Sequence, residues 1–126
     1  MKVTLFCPQS RYQHPLFLNG KRTELIGRNE NADICIKCRE VSKIHAILVN
    51  IGTDDEPVPL LRDLGSRNGT HVQGVDLRDL PKKEATLELG WFFILSHNNI
   101  PYMIVDAANI PEGEIDSDDH TMQIEV

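Results

Sequence analysis

The sequence predicts an all-β sandwich of roughly nine or ten short strands, and three observations carry that reading. Apolar segments are brief, Gly, Pro, Asn and Asp punctuate the chain at close intervals, and no stretch sustains the 3.6-residue period of an amphipathic helix. With 126 residues, 40% of them apolar and 25% charged, the chain is long enough for one domain with its own core and too short for two ordinary ones.

Taken in order, Val3-Thr4-Leu5-Phe6 opens as a strand directly after the first two residues. Leu16 to Leu18 and Lys21 to Ile26 flank Asn19-Gly20, and Asn-Gly supplies the positive φ angles of a two-residue type I′ turn, so this segment reads as a hairpin. Asp33 to Ile36 is a short alternating strand, Ile44 to Ile51 a longer and mostly apolar one. A polar loop over Gly52 to Pro59 leads to Leu60 to Leu64. Beyond Asn68-Gly69, the stretch Thr70 to Val75 is again hairpin-like. Ala85 to Leu89, Trp91 to Ser96 and Tyr102 to Val105 complete the set, with Asn98-Asn99 as the last turn. The expected division is a folded unit over 1–108 and an acidic tail or linker over 109–126, poor in large apolar groups, in which Met122 to Val126 reads as a strand fragment or as the start of further chain.

The net charge of −6 is unevenly placed. Up to Pro111 there are 13 basic and 13 acidic side chains; beyond it there are six acidic and no basic ones. The body is therefore neutral and a local positive site on it is compatible with the total, whereas nucleic acid is not the expected partner. No apolar run approaches the roughly 20 residues a membrane-spanning helix needs, and the N-terminus lacks a signal-peptide pattern. Cys7, Cys35 and Cys38 form no disulfide framework, which fits a reducing, intracellular setting. Cys35-x-x-Cys38 lacks two further ligands at zinc spacing, and residues three apart on a strand face opposite ways. No metal or cofactor is expected. Trp91-Phe92-Phe93 reads as packing and not as a base-stacking platform.

Three polar motifs stand at strand ends. Gly27-Arg28-Asn29-Glu30-Asn31 taken alone is a turn, since glycine permits unusual backbone angles. Ser42-Lys43-Ile44-His45 is a weak nucleophile and base pair, with no Gly-x-Ser-x-Gly elbow and no third group to orient the histidine. Ser66-Arg67-Asn68-Gly69-Thr70 is by itself a hairpin connection, and its match to a glycosylation sequon has no secretory context.

The ordered set says more than its parts. Gly-Arg, then fourteen residues from Arg28 to Ser42 of Ser-x-x-His, then twenty-three from His45 to Asn68 of Asn-Gly-Thr, resembles the forkhead-associated domain over about residues 3 to 107. Ala32 to Ile36, Leu61 to Ser66 and Leu87 to Gly90 match its further patterns. The resemblance implies a β-sandwich of two twisted antiparallel or mixed sheets with roughly ten to eleven strands. It also implies a non-enzymatic module that binds phosphothreonine-containing segments of other proteins, with phosphothreonine preferred over phosphoserine through a pocket for the methyl group. Arg28 and Ser42 would contact the phosphate, the first by charge-assisted hydrogen bonds and the second through its hydroxyl. Lys43 and Arg67 occupy flanking positions where polar or basic residues assist. Asn68 would hold the ligand main chain through its amide. Gly27, His45, Gly69 and Thr70 would support the binding loops, the glycines by permitting tight turns. Loops near Arg39, Glu40 and Arg67 to His71 would set ligand preference. Val41 to Ala46 and Pro59 to Thr70 are most similar to the N-terminal domains of DNA-damage checkpoint mediators, which implies a nuclear scaffold and self-association as a second role.

Overall fold

In the computed structural model, which describes residues 2–17, 22–96 and 100–110, the described residues form eleven strands in two sheets. The first sheet is built from β1 (Val3–Cys7), β2 (Tyr12–Pro15), β7 (Thr70–Val72), β8 (Val75–Asp76), β10 (Phe92–Leu95) and β11 (Pro101–Asp106), in the order β2-β1-β11-β10-β7-β8. The second comprises β3 (Thr23–Gly27), β4 (Ile34–Cys35), β5 (Ala46–Asn50), β6 (Pro59–Asp63) and β9 (Glu84–Thr86), in the order β4-β3-β5-β6-β9. All pairings are antiparallel except β3 with β4, where Ile26 faces Ile34 in parallel register. The expected all-β sandwich with a mixed sheet is what the chain adopts.

Period-two alternation decides which side chains enter the core. Along β5, Ala46 and Leu48 are buried between the half-exposed Ile47 and Val49, and along β10 Phe93 and Leu95 turn inward while Phe92 turns out. Phe93 stands opposite Tyr102 on β11, and the two rings stack with centroids 5.8 Å apart. Leu5, Ile26, Leu48, Leu61, Phe93 and Ile104 are almost wholly buried, each removal from water contributing about 1.5–3 kcal/mol.

The pairing differs from the sequence expectation at two turns. Leu16 to Ile26 is not a hairpin: residues 12–15 pair with β1 in one sheet, and residues 23–27 pair with β4 and β5 in the other. The segment crosses between sheets because Leu16 is drawn into the common core, and the edge strand β2, rich in polar residues and closed by Pro15, takes up the free side of β1. The Asn19-Gly20 and Asn98-Asn99 turns lie outside the described residues. Asn68-Gly69 likewise carries the chain from β6 in one sheet to β7 in the other. The hairpin in Thr70 to Val75 turns instead at Gln73-Gly74, whose φ angles of 50° and 80° suit a type I′ turn. After β11 the chain makes a single 3-10 turn over Ala107–Asn109, capped by the Asp106 carboxylate, which accepts from the Ala108 amide; the acidic stretch from 111 onward lies outside the described residues.

Candidate functional site

Three loops meet at one end of the sandwich: β3 to β4, β4 to β5, and β6 to β7. Their meeting is enforced by hydrogen bonds between loops. The Arg28 amide donates to the Ser42 carbonyl (3.0 Å) and the Asn29 amide to the Lys43 carbonyl (3.2 Å). The Asn68 Nδ2 donates to the Glu40 carbonyl (2.8 Å), and the Arg67 amide donates to Ser42 Oγ (3.0 Å). Gly27 is required by the first junction. A Cβ there would lie 2.1 Å from the Lys43 carbonyl oxygen. Its φ is not in the left-handed region, so close approach of two backbones explains this glycine, in place of the tight turn expected from the sequence.

His45 is the buried post behind the loops. Its Nδ1 accepts from the Ser42 amide (3.0 Å) and its Nε2 donates to the Gly69 carbonyl (2.8 Å). Because Nδ1 accepts an N–H, the ring is the neutral Nε2-protonated tautomer, and burial pushes its pKa below the ordinary value, outweighing the Gly69 carbonyl and Asp63, which act the other way. The only ring lone pair is thereby engaged by a backbone amide and not by the Ser42 hydroxyl, so Ser42 and His45 make no nucleophile and base pair. The Gly69 carbonyl also receives the Ser96 amide (2.8 Å). Gly69 itself has φ +92°, where a side chain is strained.

Asp63, which sequence reasoning passed over as part of a pattern, organises the β6–β7 loop from within. Its buried carboxylate accepts from the Gly65 amide (2.8 Å), the Ser66 amide (2.8 Å), the Ser66 hydroxyl and the Thr70 hydroxyl (2.8 Å). Ser66 Oγ in turn accepts from the Gly69 amide (3.0 Å). Burial would raise the Asp63 pKa, but these donors together hold it below the ordinary aspartate value. The available signal was Asp followed at the second and third positions by Gly and Ser, the spacing of side-chain-to-backbone turns. Thr70, expected to support the loops, does so through this bond.

Onto this frame the exposed groups are mounted. Arg28 donates through Nε to the Val41 carbonyl (3.0 Å), so its stem is tethered while its two terminal nitrogens make no hydrogen bond among the described residues. Ser42 Oγ already accepts the Arg67 amide, which leaves its hydroxyl proton to be donated outward. Lys43 and Arg67 are exposed beside them. Asn68 uses one amide proton on Glu40 and keeps its second N–H and its Oδ1. The structure thus brings together Arg28, Ser42, Lys43, Arg67 and Asn68, with Gly27, His45, Gly69 and Thr70 in the frame behind them. Such an arrangement presents several donors and positive charges with no competing carboxylate bonded to them among the described residues, a fit to a dianion.

Two cysteines near the site go separate ways. Cys38 is in the core, while part-exposed Cys35 points its thiol at the Arg28 carbonyl (3.7 Å). Among the described residues there is no group of three His, Cys, Asp or Glu side chains able to hold a metal.

The family model of the FHA domain matches residues 24–90, and the chain belongs to that family, one of phosphopeptide-binding modules. Among solved structures, it is similar to the FHA domain of CT664 from Chlamydia trachomatis, with 27% identity and a TM-score of 0.67 over 84% of this chain and 98% of that one. It is also similar to Mycobacterium tuberculosis EmbR in complex with a low-affinity phosphopeptide, with 26% identity and a TM-score of 0.67 over 82% of this chain and 24% of that one. A third, an FHA domain from a study of phosphothreonine-dependent interactions, gives 27% identity and a TM-score of 0.64 over 84% and 97%. The chain therefore spans about a quarter of EmbR and nearly all of the isolated domains. No curated protein sequence matches it.

Proposed function

We propose that this domain is a phosphothreonine-binding adaptor in which Arg28 and Ser42 hold the phosphate, Lys43 and Arg67 add positive field, and Asn68 holds the peptide main chain. The carrying observation is the pair of tethers that leave the right atoms outward: Arg28 held by Nε with its terminal nitrogens unspent, and Ser42 Oγ accepting from Arg67 with its proton unspent. Family membership and similarity to domains solved with phosphopeptides support the same ligand class. Hydrogen bonds to a charged group contribute about 1.5–3 kcal/mol each. Titration of phosphothreonine, phosphoserine and unmodified forms of one peptide tests the reading. Binding in that descending order is expected; equal affinity for all three refutes it. An oriented phosphopeptide library then reads out sequence preference, and disfavour for acidic residues against Glu40 is expected.

The resemblance to N-terminal domains of checkpoint mediators, the insect Mutator 2 in particular, supports placing the adaptor in a nuclear DNA-damage-response scaffold. Loss of the tagged parent protein from damage foci in Arg28→Ala cells is the expected result, and undiminished recruitment counts against it.

A second reading, phosphate-independent homodimerisation, is favoured by Phe92, which is 46% exposed on the outer face of the first sheet beside Met103, itself opposite Phe6. Sedimentation of unphosphorylated protein over a concentration range decides it: a strict monomer removes this reading.

A further inference from the structure

Asp76 and Arg78 lie outside every motif that pointed to the site, yet they reach its frame. Asp76 caps the 3-10 turn at Leu77–Asp79, accepting from the Arg78 amide (3.0 Å). The Arg78 guanidinium folds back onto the same carboxylate, with Nε 3.1 Å from both oxygens and Nη2 2.7 Å from Oδ2. The remaining arm, Nη1, donates to the Arg67 carbonyl (2.8 Å). The Arg67 residue is thus held at both ends: its carbonyl by Arg78, and its amide on Ser42 Oγ. The pair also packs on Gly69, where a Cβ would lie 2.9 Å from Asp76 Oδ2 and 3.1 Å from Arg78 Nη2. A guanidinium gripped through both Nε and Nη2 by one carboxylate is oriented by it, and the planar fork transmits that orientation to the carbonyl in a way a lysine ammonium does not.

We propose that Asp76 and Arg78 form a positioning clamp that fixes the Arg67 backbone, and through it the Ser42 hydroxyl, in the geometry that receives phosphate. The clamp rests on the phosphothreonine reading above, but part of its test does not. It makes no contact with ligand; it acts by holding the loop before binding, so that less ordering is left to occur on association.

Charge and geometry give opposite signs at Asp76, and this separates the clamp from a general field effect. Asp76→Asn removes a negative charge near a site for a dianion, so long-range electrostatics alone tightens binding. The clamp instead requires weaker binding, on the order of tenfold, since the asparagine no longer orients the fork. Arg78→Lys keeps the charge and loses the fork, and a comparable loss is expected. The double variant Asp76→Asn with Arg78→Lys should lose little more than either alone. Hydrogen exchange on the free protein supplies a readout independent of ligand: faster exchange at the Arg67 and Gly69 amides in Arg78→Lys, with the β5 amides unchanged. If wild type binds phosphothreonine peptide and Arg28→Ala does not, while Asp76→Asn and Arg78→Lys bind as wild type or tighter, the clamp is overturned and the functional reading stands. If wild type shows no phosphate dependence, the functional reading falls. The exchange data then decide the clamp alone, with unchanged Arg67 and Gly69 protection overturning it.

Discussion

His45 is held uncharged by two bonds of opposite direction, an accepted one from the Ser42 amide and a donated one to the Gly69 carbonyl. Its folded pKa lies below 6.5, so between that lowered value and 6.5 the unfolded chain binds more protons than the folded one. Its contribution to stability is therefore complete above 6.5 and is lost as pH falls toward the folded pKa. Denaturant midpoints of unliganded protein should drop on going from neutral pH to about pH 5.5, and an NMR titration should give the His45 ring an apparent pKa under 6.5; a raised value contradicts the assigned tautomer. Asp63 follows the same sign at lower pH, its contribution being present above the ordinary aspartate value and lost as pH falls through the folded one. Asp63→Asn leaves fewer acceptors for four donors and should cost about 1–3 kcal/mol, read from the shift in denaturant midpoint. The role of His45 was legible through Ser-x-x-His. That of Asp63 shows only in its local spacing to Gly65 and Ser66, because a buried carboxylate satisfied by its own loop has no partner at a fixed distant spacing.

Strand positions were legible to within a few residues where a short apolar run stands between turn residues, as in β5, β6 and β10. The error at Leu16 to Ile26 has a physical cause. Asn-Gly marks a reversal of chain direction but not the sheet each arm joins, and β2, with its polar residues and Pro15, carries too little apolar alternation to declare itself an edge strand. Gly27 shows the same limit at a glycine: composition signals conformational freedom, whereas the structure needs the space beneath the Lys43 carbonyl. Gly27→Ala should destabilise by about 1–3 kcal/mol through overpacking against backbone, and should weaken phosphopeptide binding as the β3–β4 and β4–β5 loops separate. Thermal melts and peptide titration of the one variant check both. Phe93→Ala, by contrast, should cost about 3–5 kcal/mol of stability from the cavity it leaves, with the affinity of the remaining folded molecules nearly unchanged, since Phe93 faces the core.

At the scale of the molecule, two sheets supply a rigid end from which three loops are tied to one another by backbone and buried side chains, and only then present Arg28, Ser42, Lys43, Arg67 and Asn68 to solvent. The exposed groups were legible because their types recur in a fixed order along the chain; the Arg28–Ser42 and Asn29–Lys43 ties were hidden because they join backbone atoms, which leave no residue signature. The positive groups are clustered on a body that is neutral as a whole, so peptide affinity should fall as ionic strength rises. The most direct measurement is a thermodynamic cycle by titration calorimetry, pairing wild type and Arg28→Ala with the phosphothreonine and unmodified forms of one bound peptide. Phosphate should strengthen binding to wild type and Arg28→Ala should remove most of that gain, leaving the unmodified peptide's affinity as it was. A phosphate gain of equal size in both proteins contradicts it.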